Sequence, residues 1–308
     1  MEGDRSECVD REVAPAKINL ALHVTGRRAD GYHLLDTLVV HGVAGDTLTA
    51  RPLAEASDGG PVRLELTVAG PFAAGLVAEP DNLVLRAARL LEVEARRLGK
   101  EPSAVALGLD KHLPIASGIG GGSSDAAAAL RLLNRVWGLD LPRSRLAELS
   151  RPLGADLPMC VHGTPLRARG IGETIDPLCD LPSLPMVLVN PGVAVPTPAV
   201  FRALTRRDNP GLPEMPAHFR DAADLLDLLA ATRNDLEPPA IAVAPVIGEV
   251  LAALGAAPGV RLARMSGSGA TCFAVCVDET VARDVAASLA ARGWWTAVGL
   301  TRPLERLE

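Results

Sequence analysis

The stretch from Pro114 to Leu130, Pro-Ile-Ala-Ser-Gly-Ile-Gly-Gly-Gly-Ser-Ser-Asp-Ala-Ala-Ala-Ala-Leu, constrains this chain more than any other segment. Gly118, Gly120, Gly121 and Gly122 come first, Ser123, Ser124 and Asp125 follow, and an alanine run closes it. Glycine lets the backbone take positive φ and approach a ligand closely. Ser and Asp are preferred helix N-caps, and alanine is the strongest helix former. The pattern therefore predicts a tight loop feeding a helix N-terminus, where free N–H groups and the positive end of the dipole attract anions. Leu130, Leu133 and Trp137 continue the helical spacing, and Gly138 is placed to stop it.

Two familiar loops are excluded. A Walker A loop ends in Gly-Lys-Ser/Thr, and no Lys follows these glycines. The dinucleotide fingerprint needs a Gly three residues after Gly120, where Ser123 stands. An idle turn before a core helix rarely keeps three consecutive glycines, because each costs conformational entropy. A phosphate cradle is the better account.

At 308 residues the chain is long enough for two cores, and 48% hydrophobic against 22% charged residues marks a folded protein. A net charge of −6 argues against nucleic acid or an anionic membrane as the main partner. Of the 31 basic residues only Lys17, Lys100 and Lys111 are lysines, so a Lys where Arg is the default cation is informative. The five cysteines (Cys8, Cys160, Cys179, Cys272, Cys276) form no CxxC pair, which fits reduced thiols in a cytoplasmic protein. Residues 1–13 are polar and acidic, unlike a signal peptide, and no apolar run reaches membrane-spanning length.

Along the chain, Ile18, Leu20, Leu22 and Val24 alternate with Lys17, Asn19, Ala21 and His23, which predicts a half-buried strand. Further strands are expected at 34–43, 105–110, 186–190, 260–265 and 272–277, and helices at 81–98, 143–153, 222–231, 246–254 and 280–292. Residues 206–219, with three prolines and no period, read as a surface loop. Strands and helices mix without regular alternation, so the class is α+β, with a division near residues 163–170.

Three blocks then resemble the GHMP kinases: Pro15-Ala-Lys-Ile-Asn-Leu20, the Pro114–Ala129 loop, and Met265-Ser-Gly-Ser-Gly-Ala-Thr271. Arg28-Ala-Asp-Gly-Tyr-His33, Gly154-Ala-Asp-Leu-Pro158, Pro191-Gly192 and Pro196-Thr-Pro-Ala-Val-Phe201 resemble the branch that acts on a cytidine diphosphate sugar alcohol of the non-mevalonate isoprenoid route. The resemblance runs from about residue 13 to 300. It implies a ribosomal-protein-S5-like N-terminal, ATP-binding domain (1–165) and a ferredoxin-like C-terminal domain (166–308). It also implies transfer of a phosphoryl group from ATP to a hydroxyl of the methylerythritol unit.

Carried onto this chain, the resemblance makes Lys17 and Asp156 catalytic. Pro114, Gly118, Gly120, Gly121, Gly122, Ser123 and Ser124 would hold ATP, and Asn19, Tyr32, His33, Thr197 and Phe201 the acceptor. Taken alone, Lys17 reads as solvated surface, Asp156 as a helix cap, Tyr32 (the single tyrosine) as a packed turn residue, and Ser266–Thr271 as a linker. Mg²⁺ is expected as a bridge between nucleotide phosphates, with no ligand assigned; His23, His41, His112, His162 and His218 have no metal-ligand spacing. The resemblance departs from its pattern at Ile119, where Leu is frequent, at the extra opening dozen residues, and at Cys160, where a bulkier apolar residue is common. Other readings are a mevalonate-, homoserine- or galactose-type GHMP kinase, a non-catalytic nucleotide- or RNA-binding protein, and a dinucleotide oxidoreductase.

Overall fold

The computed structural model describes residues 9–53, 60–74, 76, 81–178 and 180–301. Cys8, Cys179 and most of the acidic N-terminal segment lie outside these residues. In chain order, strands β1 (Asp10–Arg27), β2 (His33–Pro52) and β3 (Leu64–Ala69) precede helix α1 (Leu83–Arg97) and strand β4 (Val105–Asp110). Helices α2 (Gly121–Val136), α3 (Arg143–Ser150) and α4 (Leu157–His162) follow, then strands β5 (Leu166–Gly170), β6 (Thr174–Pro177) and β7 (Pro185–Asn190). Helices α5 (Thr197–Ala203), α6 (Ala222–Ala230), α7 (Glu237–Val243) and α8 (Val246–Ala256) lead to strands β8 (Val260–Met265) and β9 (Cys272–Cys276). Helix α9 (Glu279–Ala290) and strand β10 (Trp295–Leu300) complete the set.

The chain forms two interleaved compact units. The first takes Met1–Ala14, Gly45–Leu113 and Gly122–His162; the second takes Pro15–Ala44, Pro114–Gly121 and Gly163–Glu308. In the first unit, β4 pairs with the C-terminal half of β2 in antiparallel sense and with β3 in parallel sense. Parallel neighbours need a crossover, and α1 supplies it between β3 and β4. Asn82 caps α1, its side chain accepting from the Val84 N–H. The alanine run of α2 shares one buried core with residues of α1 and the strands, and Ala126–Ala129, Leu130, Leu132 and Leu133 are all buried.

In the second unit, a four-stranded antiparallel sheet runs in the order β10-β7-β9-β8. With α9 and α8 packed on it and its strands taken in chain order, this is the ferredoxin-like arrangement. Its core joins Val187, Val189, Cys272 and Ala274 of the sheet to Ile247, Val250 and Leu254 of α8. Burial pushes the Cys272 thiol well up and the Cys276 thiol up to about 11, so both stay protonated and inert.

Two expectations change. The strand through Lys17–Val24 is buried on both faces, His23 included. Its polar edge is occupied by groups far along the chain: Leu22 N–H donates to Arg233 O at 2.9 Å, and Arg264 donates to Leu20 O at 2.6 Å. The 206–219 segment has neither helix nor strand, yet it is not simply surface, since Leu212 and Phe219 are buried. Leu212 N–H donates to Asp36 Oδ2 at 2.9 Å, and Arg167 holds the same carboxylate with two bonds of 2.8 and 2.6 Å.

Candidate active site

In the second unit, Lys17 is only 3% exposed, and its Nζ donates to Asn19 Oδ1 at 3.0 Å. The Asn19 amide is oriented by a relay: Nδ2 donates to Thr37 Oγ1 at 2.8 Å, whose hydroxyl is spent on Ala21 O at 2.6 Å. Because that hydroxyl donates to a carbonyl, it can only accept from Asn19, which turns Oδ1 towards the ammonium.

The glycine loop meets this strand directly. Lys17 N–H donates to Ile119 O at 2.9 Å. Gly120 has φ +65°, and a Cβ there would lie 3.3 Å from Lys17 Cβ and Cε, so only glycine lets the lysine stem lie along the loop. Gly118, at φ +78°, is backed by the Ser266 carbonyl, which a Cβ would approach to 2.5 Å. Ser266 ties the two together: its Oγ accepts from Asn19 N–H at 3.1 Å and donates to Gly118 O at 3.1 Å. Asn234 holds the turn from below, its Nδ2 donating to Met265 O and Gly267 O at 2.8 Å each.

Thr197 and Phe201 lie one turn apart on α5. Thr197 Oγ1 is 2.8 Å from Ser268 Oγ, which places it on the same turn as Ser266. Phe201 stacks on His33 with ring centroids 4.6 Å apart and planes inclined by 23°. Burial, aided by Arg27 and Arg207, lowers the proton affinity of His33 and keeps its imidazole neutral. Its Nε2 is buried without a hydrogen-bond partner among the described residues. Tyr32, by contrast, is 61% exposed on the preceding turn. Pro114, Gly118, Gly120 and Gly121 of the loop thus belong with Lys17, Asn19, Thr197, His33 and Phe201 in one unit.

The first unit carries Gly122, Ser123, Ser124 and Asp156, whereas Tyr32 falls in the second. Helix α2 begins at Gly121, ahead of the serines, so Ser123, Ser124 and Asp125 fall within its first turns rather than at its cap. Helix starts leave four N–H groups without an intrahelical partner, an arrangement suited to phosphate oxygens. A Cβ at Gly122 would meet nothing within 4 Å, so space remains there for a ligand. The Ser124 hydroxyl is turned inward, donating to Cys160 Sγ at 3.4 Å.

Asp156 is half-buried immediately before α4, and its carbonyl accepts from Cys160 N–H at 3.1 Å. Cys160 anchors α4 on α2: besides Ser124, Arg131 reaches its carbonyl at 2.9 Å while pairing with Glu12 at 2.7 Å. The same helix therefore carries the anion-attracting turn and the anchor of Asp156.

Among the described residues no three His, Cys, Asp or Glu side chains cluster to hold a metal, and no helix is long and apolar enough to cross a membrane. Thr37 and Asn234 were not legible in the sequence as site residues, because lone polar residues give no periodic or motif signal. Only Ser268 and Ser266 had a pointer, the Ser-Gly-Ser-Gly turn.

Known proteins match over most of the chain. The model of the GHMP kinases N terminal domain matches residues 82–164, and that of the GHMP kinases C terminal matches residues 213–293. A 4-diphosphocytidyl-2-C-methyl-D-erythritol kinase of Paracoccus denitrificans is 52% identical over 297 residues, 95% of this chain and 97% of that one. Its namesake in Brucella melitensis is 52% identical over 289 residues, 92% of each chain. A crystal structure of 4-(cytidine 5'-diphospho)-2C-methyl-D-erythritol kinase superposes with a TM-score of 0.76 at 35% identity, covering 95% of this chain and 99% of that one. The homoserine kinase of Cytophaga hutchinsonii, at TM-score 0.67 and 17% identity over 98% of this chain and 97% of its own, shares the fold alone. The chain therefore belongs to the GHMP kinases and, within them, to the 4-diphosphocytidyl-2-C-methyl-D-erythritol kinase family.

Proposed function

We propose that this kinase transfers the γ-phosphoryl group of ATP to a hydroxyl on the methylerythritol unit of 4-diphosphocytidyl-2-C-methyl-D-erythritol, releasing ADP. The observation that carries the reading is 52% identity, over 95% of the chain, to a kinase of that name. A GHMP kinase uses ATP as its phosphate donor. Here the α2 N-terminus, with Pro114, Gly118, Gly120, Gly121, Gly122, Ser123 and Ser124, would hold its phosphates, Ser124 through its backbone. The free first-turn amides and the open space at Gly122 support this.

Lys17 would place a compact positive charge beside the transferring group, held in aim by Asn19. The Asp156 carboxylate would accept the proton of the acceptor hydroxyl as its oxygen bonds to phosphorus and the bond to ADP breaks. Such general-base help is worth roughly 10²–10⁴-fold. Tyr32 and Phe201 would flank the cytosine, neutral His33 would meet its edge, and Asn19 and Thr197 would touch the acceptor. Mg²⁺, when bound, would neutralise charge on the phosphates.

A division into domains 1–165 and 166–308 is supported by the family matches falling on either side of residue 165. A cytoplasmic location, with small-molecule partners rather than nucleic acid or membrane, accords with the net charge of −6. A coupled ADP-release assay offers the purified protein the cytidyl substrate, mevalonate and homoserine. Turnover of the cytidyl substrate alone is expected; turnover of mevalonate or homoserine instead would overturn the assignment.

A further inference from the structure

Inside the first unit, Lys111 pairs with two carboxylates at once: its Nζ contacts Asp46 Oδ2 and lies 2.7 Å from Asp125 Oδ2. All three side chains are at least 96% buried. Lys111 follows the last residue of β4, Asp46 lies in β2, and Asp125 is on the first turns of α2. Lys111 and Asp125 stand 14 residues apart, and the glycine loop occupies the interval.

The backbone at this point is braced as well. Lys111 N–H donates to Ala69 O at 2.8 Å, and Phe72 N–H donates to Lys111 O at 3.2 Å. Gly70 at φ +98° allows that approach, since a Cβ there would lie 2.6 Å from Lys111 O. Asp46 Oδ1 accepts from His112 N–H at 2.6 Å and Leu113 N–H at 2.8 Å, up to the residue before Pro114.

We propose that Lys111, Asp46 and Asp125 form a positioning clamp for the ATP phosphate site, pinning the end of β4 to the first turns of α2. The chain between them then need not be ordered when nucleotide binds, which lowers the cost of association. Nothing in packing alone requires this grouping. One ammonium against two buried carboxylates is an expensive arrangement, and Asp125 Oδ1 is buried with no hydrogen-bond partner among the described residues. Burial and the neighbouring Asp46 raise the proton affinity of Asp125 against the pull of Lys111, as expected of a surplus carboxylate. A third residue that joins such a pair at this cost, and at the mouth of the loop, is accounted for by the placement it gives α2.

The inference rests on reading the α2 N-terminus as the ATP phosphate site, and the test separates the two. ATP affinity is measured by calorimetry on the full chain without acceptor, alongside the Kd of the cytidyl substrate and the melting temperature. Asp125→Ala leaves Lys111 and Asp46 as a balanced pair, so the protein is expected to fold. Its Kd for ATP should rise about tenfold or more, with the acceptor Kd unmoved. Asp125→Asn keeps an acceptor for Lys111 and should stay within about threefold of wild type. Amide exchange over residues 112–124 should accelerate in Asp125→Ala and not in Asp125→Asn. If Asp125→Ala does not fold, Asp125→Ser replaces it under the same criteria. A folded Asp125→Ala with unchanged ATP affinity overturns the clamp, as does an Asp125→Asn variant as weak as Asp125→Ala. Wild-type protein that binds no ATP overturns the underlying reading instead.

Discussion

Asn19 N–H donates to Ser266 Oγ at 3.1 Å across 247 residues of sequence. The same serine donates to Gly118 O at 3.1 Å, so one hydroxyl connects the lysine strand, the glycine loop and the late Ser-Gly-Ser-Gly turn. Three segments that resemble family motifs separately are thus one hydrogen-bonded assembly in the second unit, and the reactivity proposed for Lys17 depends on all of them.

Gly118 and Gly122 should respond differently to alanine. At Gly118, with φ +78° and a Cβ 2.5 Å from Ser266 O, alanine is expected to cost about 1–3 kcal/mol of stability. At Gly122 a Cβ meets nothing within 4 Å, so the melting temperature should hold while ATP affinity falls. Thermal denaturation and nucleotide titration of both variants check this. Undiminished ATP affinity in Gly122→Ala would remove that residue from the cradle.

Asp156→Asn removes the proposed base while preserving shape. The backbone bond from Cys160 N–H to Asp156 O, at 3.1 Å, should survive. We expect kcat to fall about 10²–10⁴-fold with little change in KM for ATP. A variant with near wild-type kcat would leave Asp156 as the start of α4 and nothing more.

Tyr32→Ala should be silent in stability, because the side chain is 61% exposed. Stacking on a base is worth about 1–3 kcal/mol, so KM for the cytidyl substrate should rise about 5- to 150-fold. KM for ATP should not move. Steady-state kinetics with each substrate varied in turn would expose a change on the wrong side.

Glu94 predicts the acid limb of stability. Two hydrogen bonds from Arg97, at 2.7 and 2.8 Å, and two from Arg145, at 3.0 and 3.3 Å, lower its pKa from 4.5 to about 2 against the effect of burial. A carboxyl whose pKa is lowered by folding stabilises the protein above its unfolded value and loses that contribution as pH falls. Stability should therefore decline from about pH 4.5 towards pH 2. Glu94→Gln should be less stable near neutrality and show a shallower decline, read from melting temperatures across that range. An unchanged acid limb would assign it to other carboxyls.

What the sequence made legible was local. β4 spans Val105–Asp110 as expected, and α1 starts and stops within two residues of the expected range 81–98. β10 passed unnoticed because every residue of Trp295–Leu300 is half-buried, which leaves no alternation to read. Lys17 looked solvated because the groups that bury it, Ile119 and the Asn19 relay onto Thr37, are remote or individually unremarkable. The site motifs were visible through resemblance. Their mutual support, as in Thr197 against Ser268 at 2.8 Å, was not, since no spacing rule links residues so far apart.

The pairing of β1 with distant residues also sets a schedule for synthesis. Asn19 must wait for Ser266, and Leu20 for Arg264, before the strand is closed. At ~5–20 residues added per second, an interval of 247 residues lasts roughly 12–50 s. Throughout it Ile18, Leu20 and Leu22 lie on a strand that has β2 beside it but lacks the late neighbours that complete its burial. A nascent chain in that condition is a natural client for a holding chaperone, and slowing its release from the ribosome should favour aggregation over folding.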